Sequence, residues 1–142
     1  MAKDTAQGAH RFRRTRRDHA TEITHDYVEM IAKIEAMHGE CRGSDLARQF
    51  AVSHVTVTKT VARLKKDGWV QTVPYGPLTL TAKGKRLAKT VRARHETVLA
   101  FLKAIGVSEE TAEADTEGIE HHVSPETLRC FRRFLKQNKL SN

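Results

Sequence analysis

The stretch Ser44-Asp45-Leu46-Ala47-Arg48-Gln49-Phe50-Ala51-Val52-Ser53-His54-Val55-Thr56-Val57-Thr58-Lys59-Thr60-Val61-Ala62-Arg63-Leu64-Lys65-Lys66 decides the fold. Leu46, Ala47 and Phe50 share the inward side of a short helix that Ser44 is placed to cap. Ala51-Val52-Ser53 makes a turn, and Ser53 caps a second helix. On that helix Val57, Val61 and Leu64 recur at i, i+4 and i+7, which defines one buried stripe. His54, Thr56, Lys59, Thr60 and Arg63 fall outside it. Short hydrogen-bonding groups near the helix start, with cations further along, suit an element lying in the major groove of DNA: donors and methyls meet base edges, cations meet phosphates. An ordinary helical pair carries a similar pattern, so the flanking sequence has to decide.

The segment after the second helix favours DNA. Gly68-Trp69-Val70 leads into two β-prone runs, 69–73 and 78–81, joined by Pro74-Tyr75-Gly76-Pro77. A hairpin directly after a recognition helix is a wing, and Tyr75 at its tip either reaches the DNA or only stiffens the turn. Residues 42–94 hold twelve Lys/Arg against two acids, as a polyanion partner requires.

Upstream, Ile23, Tyr27, Met30, Ile31 and Ile34 fall at helical spacing from about Glu22 to His38, ended by Gly39. Asp26 and Glu29 lie beside that stripe, and acids so placed are usually just solvated. Residues 1–21 carry one large apolar residue, Phe12, among clustered arginines, so a flexible basic N-terminal arm is expected there.

Downstream, Thr81 caps a long helix running to about Ile105, stopped by Gly106. Its stripe is Leu87, Val91, Val98, Leu102 and Ile105, and His95 takes an inward position between Val91 and Val98. Two more helices are expected, about Glu109–Glu120 and Pro125–Asn138, the latter capped by Ser124. Ala112, Ile119, Leu128, Phe131, Phe134 and Leu135 exceed what so short a tail needs for itself, and a homodimer interface is their natural use. The expected fold is therefore mostly α: a winged helix-turn-helix DNA-binding domain (22–81), then an all-α dimerisation and metal-binding domain (82–142).

The charge balance reverses over residues 95–128, with one Lys against eight acids. In Glu117-Gly118-Ile119-Glu120-His121-His122 the residues Glu117, Glu120 and His121 share a helix face at i, i+3 and i+4. Each candidate group alone reads as a solvated face or a core histidine. Together Asp26, Glu29, His95, Glu117, Glu120 and His121 supply four carboxylates and two imidazoles without sulfur, a donor set suited to a hard divalent ion such as Mn²⁺. Cys41 and Cys130 are far apart and in no metal-ligand spacing, so both read as reduced thiols of a cytoplasmic protein. No apolar run reaches membrane-spanning length, so no membrane partner is expected. There is no His-Glu-x-x-His motif and no nucleophile elbow, so neither catalysis nor a small organic substrate is expected.

Asp-Tyr-Val-Glu (26–29), Ser-His-Val-Thr-Val-Thr-Lys (53–59), Leu-Thr-Ala-Lys-Gly (80–84), Arg-His-Glu (94–96) and Glu-Gly-Ile-Glu-His-His (117–122) stand in order through the chain. Over roughly residues 22–138 the sequence resembles the diphtheria toxin repressor family of metal-dependent transcription factors, in its manganese-responsive branch. The resemblance implies that Asp26, Glu29, His95, Glu117, Glu120 and His121 bind metal between the DNA-binding and dimerisation domains. Iron-responsive members place a cysteine where this chain has Glu117, and their SH3-like third domain is not expected here. It further implies Mn²⁺ as cofactor, up to two ions per subunit, and a homodimer on double-stranded operator DNA of manganese-uptake genes. His25 and His122, next to ligands, read as outer-shell or surface residues. The alternatives are a winged-helix regulator answering to Fe²⁺, an organic ligand or thiol oxidation at Cys41 or Cys130.

Overall fold

The computed structural model describes the backbone of residues 2–139 and the side chains of Arg13 and residues 16–139. The elements run α1 (Ala2–His38), α2 (Gly43–Phe50), α3 (His54–Lys66), β1 (Val70–Thr72), β2 (Leu78–Leu80), α4 (Ala82–Ala104), α5 (Glu109–Ile119) and α6 (Pro125–Lys139). The mostly α architecture with a winged helix-turn-helix is the one the sequence implies. The chain divides into two compact units, one of residues 23–90 and one of residues 1–22 with 91–142, and both α1 and α4 contribute to each.

The 23–90 unit is built on the stripe expected of α3. Val57, Val61 and Leu64 are buried and pack with Tyr27, Val28, Ile31 and Ile34 of α1, Leu46 and Ala47 of α2, and Val70, Leu78 and Leu80 of the hairpin. Tyr27 stacks on Phe50 with ring centroids 4.7 Å apart. β1 and β2 are antiparallel, pairing Val70 with Leu80, Gln71 with Thr79 and Thr72 with Leu78. The Leu78 N–H also donates to the Cys41 carbonyl at 2.7 Å, so the stretch before α2 continues the hairpin by one residue.

Local chemistry explains the joints. Ser53 Oγ accepts from the Thr56 N–H at 3.1 Å, which caps α3 as expected. Ala51 holds a left-handed conformation (φ 51°) in the turn between α2 and α3, a cost of roughly 1–2 kcal/mol for a residue with a Cβ. Thr81 Oγ1 accepts from the Gly84 N–H at 3.0 Å and donates to the Gly68 carbonyl at 2.6 Å, fixing the start of α4 against the exit from α3.

In the other unit, Val91 and Val98 of α4, Ala112 of α5 and Leu128 of α6 are buried. Phe101 stacks on Phe131 at 3.8 Å and meets Phe134 edge-on at 5.4 Å, joining α4 to α6. Ser108 caps α5 through the Thr111 N–H, and Ser124 caps α6 through the Thr127 N–H.

Four expectations need correction. The N-terminal basic stretch, expected as a flexible arm, is helical from Ala2: it contains no proline and is rich in Ala and Arg, both strong helix formers. Ser44 does not cap α2; the helix begins two residues earlier, at Gly43, and Asp45 Oδ2 accepts from the Arg42 N–H at 2.8 Å instead. Ile105, assigned to the α4 stripe, lies just past the helix and is exposed. Glu120 and His121 fall in the turn after α5, although Glu120 keeps helical angles (φ −57°, ψ −31°).

Candidate metal centre and nucleic-acid interface

The inward position of His95 on α4 sets the site. His95 Nδ1 lies 2.6 Å from Glu120 Oε2 and 3.9 Å from Glu117 Oε1. Glu120 Oε1 in turn lies 3.5 Å from His121 Nε2. Glu120 keeps only 2% of its side-chain surface exposed and His121 5%, whereas Glu117 stands open at 68%. Donor atoms of His95, Glu117 and Glu120 all lie within 4.8 Å of one another, the one such group of three among the described residues.

Burial pushes the Glu120 carboxyl above the ordinary carboxylate range; His95 pulls it back and Glu117 adds to the rise. Among the described residues, the charges that move Glu120 are those of His95 and His121, which lower it, and of Glu117, which raises it. A buried carboxylate beside a second carboxylate and two imidazoles fits a divalent ion, which would supply the missing positive charge.

Asp26 and Glu29 are half-buried on α1 within the 23–90 unit. Glu22 carries no signal in the sequence. Its carboxylate reaches His122 Nε2 at 2.5 Å through Oε1, and Oε2 lies 3.9 Å from His19 Nδ1. No periodicity could have signalled a bond between residues one hundred positions apart.

On α3, His54, Thr56, Lys59 and Arg63 are exposed and Thr60 half-exposed. Two exposed threonine hydroxyls are engaged by the helix and its cap: Thr58 Oγ1 donates to the His54 carbonyl at 2.8 Å, and Thr56 Oγ1 is paired with Ser53 Oγ at 3.0 Å. Val55, absent from the contact residues expected from sequence, is 63% exposed in the first turn. Its place off the 57/61/64 stripe was the available signal. Tyr75 is fully exposed at the wing tip with φ 58°, and the Arg42 guanidinium donates to its carbonyl at 3.2 Å.

Comparison with known proteins agrees with this division of labour. Residues 19–78 match the iron dependent repressor N-terminal DNA binding domain, and residues 81–141 match the iron dependent repressor metal binding and dimerisation domain. The transcriptional regulator MntR of Escherichia coli O157:H7 is 43% identical over 89% of this chain and 82% of its own length. The chain belongs to the DtxR/MntR family of transcriptional regulators. A second MntR-family relative, from Bacillus subtilis (strain 168), is 44% identical over 70% of each protein. Among solved structures, a manganese-dependent transcriptional repressor in complex with manganese aligns with TM-score 0.70 at 26% identity, covering 80% of this chain and 52% of that one. The chain thus spans about half the length of the solved family structures it matches. Among the described residues, no helix is long and apolar enough to cross a membrane.

Proposed function

We propose that the chain is a cytoplasmic, Mn²⁺-dependent homodimeric repressor that binds operator DNA of manganese-uptake genes when metal is present. The carrying observation is the buried Glu120 carboxylate on His95, with Glu117 within reach: three donors free of sulfur, in the half of the chain matching the family's metal-binding domain. Glu117 in particular offers a hard oxygen donor.

Asp26 and Glu29 of α1, with His121, complete the ligand set in this proposal, and the carboxylates have the capacity to bridge two ions. A bound divalent ion supplies positive charge and Lewis acidity to these donors. Without it the carboxylates of this set share no cation, and Glu117 and Glu120 repel one another, which in this proposal leaves the two DNA-binding halves of a dimer a range of spacings. Drawing these carboxylates together narrows that range toward half-sites about one helical turn (roughly 34 Å) apart. By linkage, DNA binding tightens metal binding by the same factor, about 1–3 kcal/mol for a typical effector. His54, Thr56, Lys59, Thr60 and Arg63 read DNA from α3, and Tyr75 meets it from the wing.

The test is a gel shift on a manganese-uptake promoter with Mn²⁺, Fe²⁺, Zn²⁺ or chelator, repeated with Glu117→Ala. A shift that appears with Mn²⁺, vanishes with chelator and is lost in the variant is expected. Binding indifferent to metal would overturn the proposal. Control by oxidation of Cys41 is disfavoured, because that thiol is fully buried and pushed up to about 12 by burial, with Asp45 and Glu35 adding to the rise.

A further inference from the structure

We infer that Glu22 and His122 form a positioning pair that fixes the turn carrying Glu120 and His121. The inference rests on the metal-dependent function proposed for the chain. Neither residue is assigned as a ligand, and neither was selected for DNA contact.

Three observations carry it. First, Glu22 Oε1 and His122 Nε2 are 2.5 Å apart, a close contact across one hundred residues. Second, both partners are themselves held. The second Glu22 oxygen lies 3.9 Å from His19 Nδ1, one turn earlier on α1, and the His122 N–H donates to the Ile119 carbonyl at 3.1 Å, closing the turn. Third, the pair is only partly solvated, with 31% of the Glu22 side chain and 46% of the His122 side chain exposed.

Helix geometry then gives the pair a consequence. Glu22, Asp26 and Glu29 stand at i, i+4 and i+7 on one uninterrupted helix, so their side chains leave the same face at successive turns. At the other end, His122 comes directly after Glu120 and His121, so the same bond fixes the turn from which those two project. The hydrogen bond thus orders the turn that carries Glu120 and His121 before any ion arrives, as supporting partners do for other metal ligands. The pair acts through the ligands and donates nothing to the ion.

The experiment uses full-length protein and four variants: Glu22→Ala, His122→Ala, the double variant, and Glu22→Gln, whose amide oxygen still accepts from the imidazole. Mn²⁺ binding is read from the spectroscopic signal of free Mn²⁺, DNA activation from fluorescence anisotropy against Mn²⁺ concentration, and metal-free stability from thermal melting. Each alanine variant is expected to raise the Mn²⁺ midpoint in both assays by about ten-fold, the scale of outer-partner losses. The double variant is expected to match the singles, because either change breaks the same bond. Glu22→Gln is expected to stay within about two-fold of the parent, the margin set by retaining the hydrogen bond.

A lowered melting temperature with unchanged Mn²⁺ midpoints would assign the pair a merely structural role and overturn the inference. Additive effects in the double variant would overturn it too. If the unmodified protein binds DNA without regard to Mn²⁺, the functional reading falls and takes this inference with it. If the unmodified protein responds and the alanine variants respond equally, only the inference falls.

Discussion

His95 on α4 and Glu120 after α5 meet at 2.6 Å between Nδ1 and Oε2, and Glu120 is almost wholly buried where they meet. A carboxylate is costly to bury unless something compensates its charge, and here its near neighbour is an imidazole nitrogen. Under the proposed function a bound divalent ion would supply the compensating charge, so the site would be a cost in the metal-free protein and an attraction for the ion.

Glu120→Gln should therefore stabilise the metal-free protein while destroying its metal response. Burial raises the Glu120 carboxyl in the folded state, so its protonated form is the one the fold prefers. The stability tied to this group is present below the ordinary carboxylate range and is lost as pH rises through the raised folded value. The amide of the variant has no charge to bury at any pH. The metal-free melting temperature of the variant should rise by roughly 2–5 °C, for a gain of about 1 kcal/mol, and Mn²⁺ should no longer raise it further. Equal melting temperatures at pH 5 and pH 8 in the parent protein would count against this account of Glu120.

Glu117→Ala should leave metal-free stability within about 0.5 kcal/mol, as for other exposed positions, because this side chain stands 68% exposed. Its Mn²⁺ affinity should fall by at least about ten-fold, since a lost charged oxygen donor is worth more than the roughly 1.4 kcal/mol that a factor of ten represents. Isothermal titration with Mn²⁺ and thermal melting separate the two effects. A variant that melts normally and binds Mn²⁺ as the parent does would remove Glu117 from the ligand set.

Gly84→Ala should destabilise the 23–90 unit by about 1–3 kcal/mol, the range for overpacking. A Cβ there would stand 2.1 Å from the Trp69 carbonyl oxygen and 3.2 Å from Leu80 Cδ2. The oxygen belongs to the backbone that Thr81 already anchors, through its own N–H at 3.0 Å, so it cannot retreat cheaply. Denaturant unfolding of the variant measures the loss, and an unchanged midpoint would mean that the start of α4 is looser than its hydrogen bonds indicate.

Legibility in the sequence depends on which interactions are local. Val57, Val61 and Leu64 declare themselves by period, and Ser53 by its place before them, so α3 and its buried face could be read directly. The α2 cap was misplaced because an acid three residues into a helix serves as well as a serine in front of it, and Asp45 took that role. The extent of α1 is not legible because a stretch rich in Ala and Arg has no apolar stripe to count. His95 could be placed inward from its neighbours, but its meeting with Glu120 depends on how α4 and the end of α5 pack. The Glu22–His122 bond lies further from reach still, since neither residue shares a pattern with the other.

Cys41 should be silent toward thiol reagents in the native protein. It is buried, and burial together with Asp45 and Glu35 pushes the thiol up to about 12, leaving almost no thiolate at neutral pH. In a Cys130→Ser background, a chromogenic disulfide reagent at pH 8 should release no colour from folded protein and one equivalent per chain after denaturation. Rapid reaction of the folded protein would restore a redox reading for Cys41.

Arg63→Ala should separate DNA binding from metal binding. Arg63 is exposed on α3 opposite the buried Val57, Val61 and Leu64, and no metal donor of the His95 group lies on that helix. If its guanidinium neutralises one phosphate, the slope of log affinity against log salt should fall by about 0.9. Mn²⁺ binding by the free protein should stay within about two-fold of the parent, because exposed positions away from a site are near-neutral. Lys59→Ala should behave in the same way, and the two losses should add if each residue serves its own phosphate. Anisotropy titrations at several salt concentrations, with Mn²⁺ in excess, read the first effect, and calorimetry without DNA reads the second. If Arg63→Ala left the salt slope intact and weakened Mn²⁺ binding instead, α3 would not be the element that meets DNA, and the separation of roles between the two halves of the chain would fail.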